Sequence, residues 1–178
     1  CVWLRGRNGA GKTTLLRVLI GLLPADEGQV RWPIAGAAVP LQPNLLYIGH
    51  ATALKEDLSV LEALQFLARL QGLPADPAQL DAALGRLSLQ GHAQRRVRTL
   101  SQGQRRRLAL ARLALDTSRR LWVLDEPLEA LDEPGQLAVQ ALLQQHLSGG
   151  GSLLVTSHLP LGDGLAPRLE VRLGPGEG

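Results

Sequence analysis

The chain has 178 residues, 45% hydrophobic and 20% charged, a composition that fits one globular domain with a substantial core. The net charge of +3 admits a nucleic-acid partner, whereas the single cysteine, Cys1, gives no indication of an oxidising compartment. No apolar run approaches the roughly 18 residues needed to span a bilayer, so a membrane role would require a partner protein.

The first predicted elements are a strand from Val2 to Leu4 and a helix from Leu15 to Leu23, joined by the segment GRNGAGKTT. The chain starts within this strand and without a methionine, so we expect its true N-terminus to be missing. Residues 6–13 fit the pattern G-x-x-x-x-G-K-[ST] between a strand and a helix, which is typical of a phosphate-binding loop.

A phosphate-binding loop predicts roles for its individual residues. Glycines allow the backbone to wrap so that several N–H groups point at the phosphates, and the helix N-terminus adds its positive dipole end. Lys12 is expected to contact the β- and γ-phosphates of ATP, and Thr13 to offer its hydroxyl to Mg²⁺. The predicted nucleotide-binding residues of this segment are Gly6, Asn8, Gly9, Ala10, Gly11, Lys12, Thr13 and Thr14.

Two further strands are predicted before the middle of the chain. A turn at PADEG (24–28) is followed by the strand-like QVRW (29–32), and then by a loop rich in proline and glycine. The apolar strand LLYIG (45–49) comes next and leads directly to His50.

The segment after this strand predicts a small group of helices. Ser59 followed by Glu62 forms a capping box, and the helix that it starts is expected to end near Gly72. A second amphipathic stretch with apolar residues at 80–87 follows two prolines. We therefore expect a helical lobe over about residues 55–98.

The second half of the chain predicts two buried strands that end in polar residues. LWVLDEP (121–127) is apolar up to Asp125 and Glu126, and SLLVTSH ends in His158. Asp125 is expected to hold Mg²⁺, and Glu126 is the better candidate to orient and deprotonate an attacking water. On their own, two acids at a strand end are equally consistent with surface residues that have no functional role. Beside a phosphate-binding loop they indicate nucleotide hydrolysis.

Apolar strands that alternate with helices predict a parallel sheet covered on both faces. An Arg-rich helix follows LSQGQ, and another helix is expected over residues 135–147. We therefore expect an α/β P-loop NTPase with a mostly parallel sheet covered by helices, plus the small helical lobe, in one domain that spans 1–178. The tail from Gly162 carries little information.

Basic residues cluster between positions 95 and 107. The cluster contains no aromatic side chain on which a base could stack, so a solvated helix face is favoured over a nucleic-acid site. Its members are Arg95, Arg96, Arg98, Arg105, Arg106 and Arg107.

With these motifs the chain resembles the ABC ATPases over essentially its whole length. LSQGQ (100–104) is similar to the signature sequence of that family, ALD (130–132) to its D-loop, and His158 to its switch histidine. The resemblance implies a domain that hydrolyses ATP with Mg²⁺ and closes as a head-to-tail homodimer around two ATP molecules. The family's adenine-stacking aromatic residue lies upstream of the phosphate-binding loop, in strands that this chain does not contain.

The dimer implied by the resemblance brings the signature sequence to a nucleotide. Ser101, Gly103 and Gln104 of one subunit would lie at the γ-phosphate held by Lys12 of the other, where a hydroxyl and a helix N-terminus form an anion site. The simpler interpretation of LSQGQ is a helix cap. Gln102 stands where the family usually has glycine, and no phosphate contact is expected from its side chain.

The resemblance assigns roles to two more residues. His158 would contact the γ-phosphate and act with Glu126 in catalysis, although a lone histidine near a strand end is usually structural. Asp132 would link the two nucleotide sites across the dimer, and its simpler interpretation is an acid that starts a helix before Pro134.

In most ABC ATPases the strand corresponding to LLYIG leads to a glutamine that contacts Mg²⁺ or water, but here His50 occupies that place. Gln42 is a poor substitute because it lies before the strand. The string LYIGHATALKEDLSVLEAL (46–64) is similar to the haem-exporter ATPases of cytochrome c maturation. We interpret His50 as the equivalent of that glutamine, positioning groups at the nucleotide, in preference to a ligand of haem iron.

The same resemblance implies integral membrane subunits as partners and a peripheral position on the cytoplasmic face of the inner membrane, with haem handled by the complex rather than by this chain. One alternative is the ATPase subunit of an ABC transporter for a different solute. A soluble ABC protein acting on nucleic acid or ribosomes is disfavoured. The chain has one nucleotide domain, and no long coiled coil separates Lys12 from Asp125.

Overall fold

A parallel sheet forms the centre of the computed structural model, which describes residues 1–30, 33–34, 37–38, 44–116, 118 and 121–174. The described strands are β1 (Val2–Gly6), β2 (Pro33–Ile34), β3 (Ala37–Ala38), β4 (Leu45–Ile48), β5 (Leu121–Asp125), β6 (Ser152–Thr156) and β7 (Leu169–Leu173). Five of them form the parallel sheet in the order β4-β5-β6-β1-β7, while β2 and β3 pair as a separate antiparallel ribbon.

Helices cover this sheet, and most of them begin at a polar capping residue. The described α-helices are α1 (Lys12–Leu19), α2 (Val60–Leu70), α3 (Pro77–Arg86), α4 (Gln102–Leu110) and α5 (Glu133–Ser148). Ser59 and Ser101 form capping boxes, and Asp76 and Asp132 each accept a hydrogen bond from a backbone N–H of the first turn. Within the described ranges, no helix has the length and apolar character required to cross a bilayer.

Alternate residues of β5 pack on opposite faces of the sheet. Leu121 and Val123 belong to a cluster with Leu16 of α1, whereas Trp122 and Leu124 belong to a larger cluster that includes side chains of α2 to α5. A strand covered on both faces must be apolar at every position, which is why it reads as a continuous apolar run. The predicted fold class, a P-loop α/β fold with a parallel sheet covered by helices, is confirmed.

The predicted helix Leu15–Leu23 is wrong at both ends, because α1 begins three residues earlier and ends at Leu19. Gly21 has a φ of 75°, a left-handed conformation that ends the helix. Leu22 and Leu23 beyond it are exposed, so the apolar density of the sequence runs past the helix into a surface turn.

The predicted strand QVRW is not observed where it can be checked. Gln29 and Val30 lie outside the strands, and Arg31 and Trp32 lie outside the described residues, as does Gln42. The apolar pattern of so short a segment is a weak indicator of a strand.

A strand in the glycine- and proline-rich tail is an addition that the sequence did not indicate. β7 pairs with β1 in parallel, from Leu169 opposite Val2 to Leu173 opposite Gly6. It is an edge strand with mostly exposed side chains, so it lacks the apolar run of the central strands. Its last residue reaches the start of the glycine-rich turn.

The range predicted as a helical lobe, 55–98, contains α2, α3 and a short 3₁₀ turn (Gln90–His92), and a second 3₁₀ turn (Val97–Thr99) begins within it. Its two ends are joined by hydrogen bonds from the N–H of Val60 to the O of Arg95 (2.9 Å) and from the N–H of Leu61 to the O of Ala93 (3.0 Å). Most of its buried apolar side chains share one cluster with those of β4, β5 and β6. The lobe as a separate unit stays a prediction.

Candidate functional site

The glycine-rich turn between β1 and α1 has a backbone that glycine adopts without strain. Gly9 and Gly11 have φ of 82° and 88°, in the left-handed region. A Cβ added at Gly6 would lie 2.5 Å from the carbonyl O of Leu173, so β7 also restricts this position to glycine. No side chain of the described residues caps α1, and the first N–H groups of a helix point out of its N-terminus. The turn therefore has the features of an anion-binding site.

Lys12 lies across this turn with only 9% of its side chain exposed. Its Nζ donates to the carbonyl O of Gly6 at 2.9 Å and of Arg7 at 3.3 Å. It also lies 3.8 Å from Oε1 of Glu126. The ammonium is thus held at the centre of the turn, where an anion bound by the turn would meet it.

Asp125, at the end of β5, holds together the hydroxyls of two other elements. Oδ2 accepts a hydrogen bond from Oγ1 of Thr13 and Oδ1 accepts one from Oγ1 of Thr156, both at 2.7 Å. The carboxyl group is almost fully buried, with the residue 1% exposed. Carboxylate and hydroxyl oxygens are hard ligands of the kind that Mg²⁺ takes together with phosphate oxygens. The residues predicted for the metal, Thr13 and Asp125, therefore fit that role.

Glu126 follows in a left-handed backbone conformation, with a φ of 49°. This conformation is unfavourable for a residue with a Cβ, so surrounding contacts must stabilise it. Its N–H donates to Oγ1 of Thr156 at 2.9 Å, and its Oε2 accepts from the backbone N–H of His158 at 3.0 Å. These contacts direct a buried carboxylate toward Lys12 and His158.

The ring of His158 lies between two groups of opposite charge. Its Nε2 is 3.2 Å from Oε1 of Glu126 and 3.3 Å from Nζ of Lys12. A protonated Nε2 donates to the carboxylate, whereas an unprotonated Nε2 accepts from the ammonium. The position of one proton therefore decides which partner the histidine binds.

These groups line one cavity of about 410 Å³ at the carboxyl ends of β1, β4, β5 and β6. The phosphate-binding-loop residues 8–14, His50, Asp125, Glu126 and His158 all contribute to its wall. The structure therefore brings together most of the residues predicted from separate parts of the chain.

The signature residues are not part of this cavity in the same chain. Ser101 accepts a hydrogen bond at Oγ from the N–H of Gln104 (3.2 Å), and its own N–H donates to Oε1 of Gln104 (3.0 Å). Gly103 packs against the backbone, since an added Cβ would lie 2.8 Å from the carbonyl O of Ala130. Within one chain these residues form the helix cap that was the simpler interpretation.

Asp132 likewise lies outside the cavity and starts α5. Its Oδ1 accepts from the N–H of Gly135 at 3.2 Å and forms an ion pair with Arg107. The hydrogen bond from Arg107 is the main reason that the pKa of Asp132 is lowered.

The prediction that the arginine cluster is a solvated face is wrong for Arg106, and the Arg107 side chain is only 13% exposed. Arg95, Arg96 and Arg98 are exposed, but Arg106 is 5% exposed. Burial lowers the pKa of the Arg106 guanidinium, and the nearby carboxylates, Asp125 first, oppose that shift. The burial of Arg106 could have been inferred from the helical period. Arg106 lies three and four residues before the buried Ala109 and Leu110, which places it on the same face of the helix.

Glu129 is a second residue that the sequence did not single out. It lines the cavity, and its Oε2 lies 3.2 Å from Nδ1 of His50. Both side chains are more than half exposed, so the pair lies at the mouth of the cavity. No short motif marks this position, since the two residues are far apart in the sequence.

Comparisons with known proteins show the family to which the chain belongs. The sequence model of the ABC transporter family matches residues 1–129. The chain is 43% identical to the cytochrome c biogenesis ATP-binding export protein CcmA of Albidiferax ferrireducens, over 96% of the chain and 83% of that protein. It is 48% identical to the CcmA protein of Methylococcus capsulatus, over 87% of the chain and 76% of that protein.

Solved structures give the same result for the fold. An ABC transporter ATP-binding protein from Pyrococcus furiosus superposes with a TM-score of 0.79 at 25% identity, over 97% of this chain and 83% of that one. The family match covers the glycine-rich turn, the signature sequence and the acids at the end of β5. The chain therefore belongs to the ABC transporter family, as one of its ATP-hydrolysing subunits.

Proposed function

We propose that this chain is the ATP-hydrolysing subunit of a membrane ABC complex that couples ATP hydrolysis to haem delivery or export for cytochrome c biogenesis. The observation that carries the nucleotide chemistry is the convergence of Lys12, Asp125, Glu126 and His158 on one cavity beside the glycine-rich turn. The biological role is supported by relatives at 43% and 48% identity whose names are cytochrome c biogenesis ATP-binding export proteins.

The phosphate groups of ATP are bound by the N–H groups of the turn and by Lys12, which exchanges its carbonyl contacts for phosphate oxygens. Thr13 and Asp125 would hold Mg²⁺, which would supply positive charge against the phosphates during hydrolysis. Glu126 orients a water molecule and accepts its proton as the water oxygen bonds to the γ-phosphorus and ADP leaves.

His158 works with Glu126 in this scheme. Its ring lies within 3.3 Å of both the carboxylate and the ammonium that binds phosphate. When the γ-phosphate is present, a protonated Nε2 donates to a phosphate oxygen, and when it is absent the ring returns to Glu126 or Lys12. The histidine thereby distinguishes ATP from ADP.

The complete site requires a second copy of the chain. Ser101, Gly103 and Gln104 lie at the N-terminus of α4 and outside the cavity of their own subunit, so they have no nucleotide to bind there. In a head-to-tail homodimer they contact the γ-phosphate held by the partner's turn. Asp132, beside the signature helix through its ion pair with Arg107, joins the two sites.

A role of Ser101 at the partner's nucleotide can be distinguished from helix capping by comparing two serines with the same local structure. Ser59 and Ser101 each form a capping box, so Ser59→Ala and Ser101→Ala should each cost about 1 kcal/mol of stability. Only Ser101→Ala should also reduce ATP hydrolysis at saturating ATP and weaken the ATP-stabilised dimer in size-exclusion chromatography. Equal activity of the two variants would contradict the shared site.

The membrane partners follow from the same proposal. The complex would include integral membrane subunits, and this chain would lie peripherally on the cytoplasmic face of the inner membrane. Haem would be handled by the complex rather than by this chain. The His50 turn (residues 49–52) contributes to the nucleotide cavity and to a second, neighbouring cavity. A membrane subunit would sense nucleotide binding at this turn.

The test of the biological role is a covalent-haem stain of c-type cytochromes in the source cells after the native gene is replaced by a Lys12→Ala version. Stained cytochromes should disappear while the apoproteins are still exported, and the wild-type gene should restore them. Arg17→Ala, an exposed position on the same helix as Lys12, is the matched control and should leave the staining unchanged.

Unchanged staining with Lys12→Ala, in a strain without a second copy of the gene, would contradict the role in cytochrome c biogenesis. The ATP chemistry of the site would stand, and the chain would then serve an ABC transporter for a different solute.

A further inference from the structure

Arg106 projects from α4 into the space between the ends of β4 and β5, two neighbouring strands of the sheet. Its NH1 donates to the carbonyl O of Gly49 at 2.9 Å and of His50 at 3.3 Å. Its NH2 donates to the carbonyl O of Asp125 and of Glu126, both at 2.7 Å. One buried guanidinium therefore binds four main-chain carbonyl groups.

The four carbonyls come in two consecutive pairs, and each pair brackets one functional residue. The carbonyl of Asp125 belongs to the peptide before the Cα of Glu126, and the carbonyl of Glu126 to the peptide after it. Gly49 and His50 have the same relation to the Cα of His50. Because peptide groups are planar, fixing both neighbours of a Cα fixes the direction of its Cα–Cβ bond, from which the side chain starts.

This arrangement matters most at Glu126, whose φ of 49° is unfavourable for a side chain with a Cβ. The short bonds from NH2 are charge-assisted and buried, which makes them stronger than bonds between neutral groups. They hold the turn in a conformation from which the carboxylate points at Lys12 and His158. Without them, the backbone could relax toward a more favourable conformation.

We propose that Arg106 is a positioning residue for ATP hydrolysis. One terminal nitrogen sets the backbone of residues 125–126, the Glu126 turn, and the other sets that of the His50 turn. This inference rests on the proposed function of Glu126. Because the guanidinium is planar and rigid, the two turns cannot shift independently, so movement of the His50 turn is transmitted to the hydrolytic carboxylate.

The geometry also explains why arginine is needed. Lysine would bring the same charge to this place, but its donors radiate from a single nitrogen and cannot form the two parallel pairs of bonds. Glutamine removes the charge and keeps only one donor nitrogen. Arg106→Lys therefore keeps the charge and loses the geometry, whereas Arg106→Gln loses both.

The experiment measures kcat and KM for ATP, together with the thermal midpoint Tm, in the full chain. Arg106→Lys should lower kcat about ten- to hundred-fold with KM for ATP changed less than about three-fold, because the carboxylate is misplaced while the phosphate-binding turn is untouched. Arg105→Lys is the matched control, since Arg105 is the adjacent arginine and its side chain donates hydrogen bonds to Glu56 at 2.7 Å and to the carbonyl O of Leu100 and of Arg98. Its kcat should stay within about two-fold of the wild type.

A double mutant distinguishes positioning from a general structural role. If Arg106 acts through Glu126, adding Arg106→Lys to Glu126→Gln should lower kcat little further, because the carboxylate that it positions is already gone. An equal fold-loss of kcat in both backgrounds would overturn the proposal, as would a folded Arg106→Lys variant with wild-type kcat.

Stability is controlled by the second variant. If Arg106→Lys does not fold, Arg106→Gln carries the same test, and if neither folds the residue serves the fold and the proposal is overturned. Failure of the proposed function would show differently: Glu126→Gln alone would leave kcat unchanged, and the Arg106 inference would fall with it.

Discussion

The two ends of the same sheet both bury ionisable side chains, but they do so in different ways. At the carboxyl ends of the strands, a cavity of about 410 Å³ is lined by Lys12, Asp125 and Glu126, among other residues. At the amino ends, Asp116 accepts a hydrogen bond from Nε1 of Trp122 at 2.7 Å, and the indole stacks on His146 with ring centroids 3.9 Å apart.

The cavity at the amino ends is the larger of the two, at about 640 Å³. Size therefore does not identify the functional end. The carboxyl end differs in having a glycine-rich turn with left-handed glycines and a strained residue, Glu126, whose carboxylate is held near a lysine. The helix N-terminus there is not capped by a side chain of any described residue. At the amino end, Asp116 is bound to the indole of Trp122, and His146 to the carbonyl O of Ser152.

The sharpest way to test this contrast is Glu126→Gln, which keeps the shape of the side chain and removes its charge. Loss of the general base should lower kcat about 10²- to 10⁴-fold, while ATP is retained and stabilises the dimer. The measurements are steady-state ATP hydrolysis and size-exclusion chromatography at saturating ATP.

Glu133→Gln, an exposed acid in the first turn of α5, is the control and should hydrolyse ATP normally. A Glu126→Gln variant with wild-type kcat would contradict the assignment of Glu126 as the general base. One that stays monomeric at saturating ATP would count against the shared site.

The glycine-rich turn could be predicted from sequence because all its functional residues are consecutive, so local order alone places the amides, Lys12 and Thr13 together. Asp125 and Glu126 could be predicted because an apolar strand of known direction delivers them to the same edge. Arg106 was missed because its acceptors lie at positions 49, 50, 125 and 126, and a run of three arginines resembles a solvated surface. β7 was missed because an edge strand lacks the continuous apolar run.

The second prediction concerns the amino ends of the strands, where Trp122→Ala should change stability and leave the chemistry intact. Trp122 is 2% exposed, and truncating a buried tryptophan costs about 3–5 kcal/mol. Chemical denaturation should show this loss, while kcat per folded molecule stays within about two-fold of the wild type. Trp122→Phe, which keeps an aromatic ring, should lose less. A large fall of kcat in folded Trp122→Ala would contradict the view that the amino ends of the strands serve stability and the carboxyl ends serve catalysis.

The smallest expected effect is a pH dependence at His146. Burial lowers the pKa of its ring, against the opposing effects of the carbonyl O of Ser152 and the charge of Asp116. Because the folded pKa is below that of the unfolded chain, near 6.5, the unfolded state binds more protons as the pH falls. The ring therefore contributes stability that is fully present above about pH 6.5 and is lost as the pH falls through the folded pKa.

His146→Phe isolates this contribution because it keeps a ring against Trp122 and cannot be protonated. The other titrating groups are common to both proteins, so their effects cancel when the free energies of unfolding are subtracted at each pH. Between pH 8 and pH 5, roughly the window around the unfolded pKa, the wild type should lose more stability than the variant. Parallel curves would mean that the ring is equally accessible to protons in both states, and that the amino end is less tightly packed than its stacking geometry indicates.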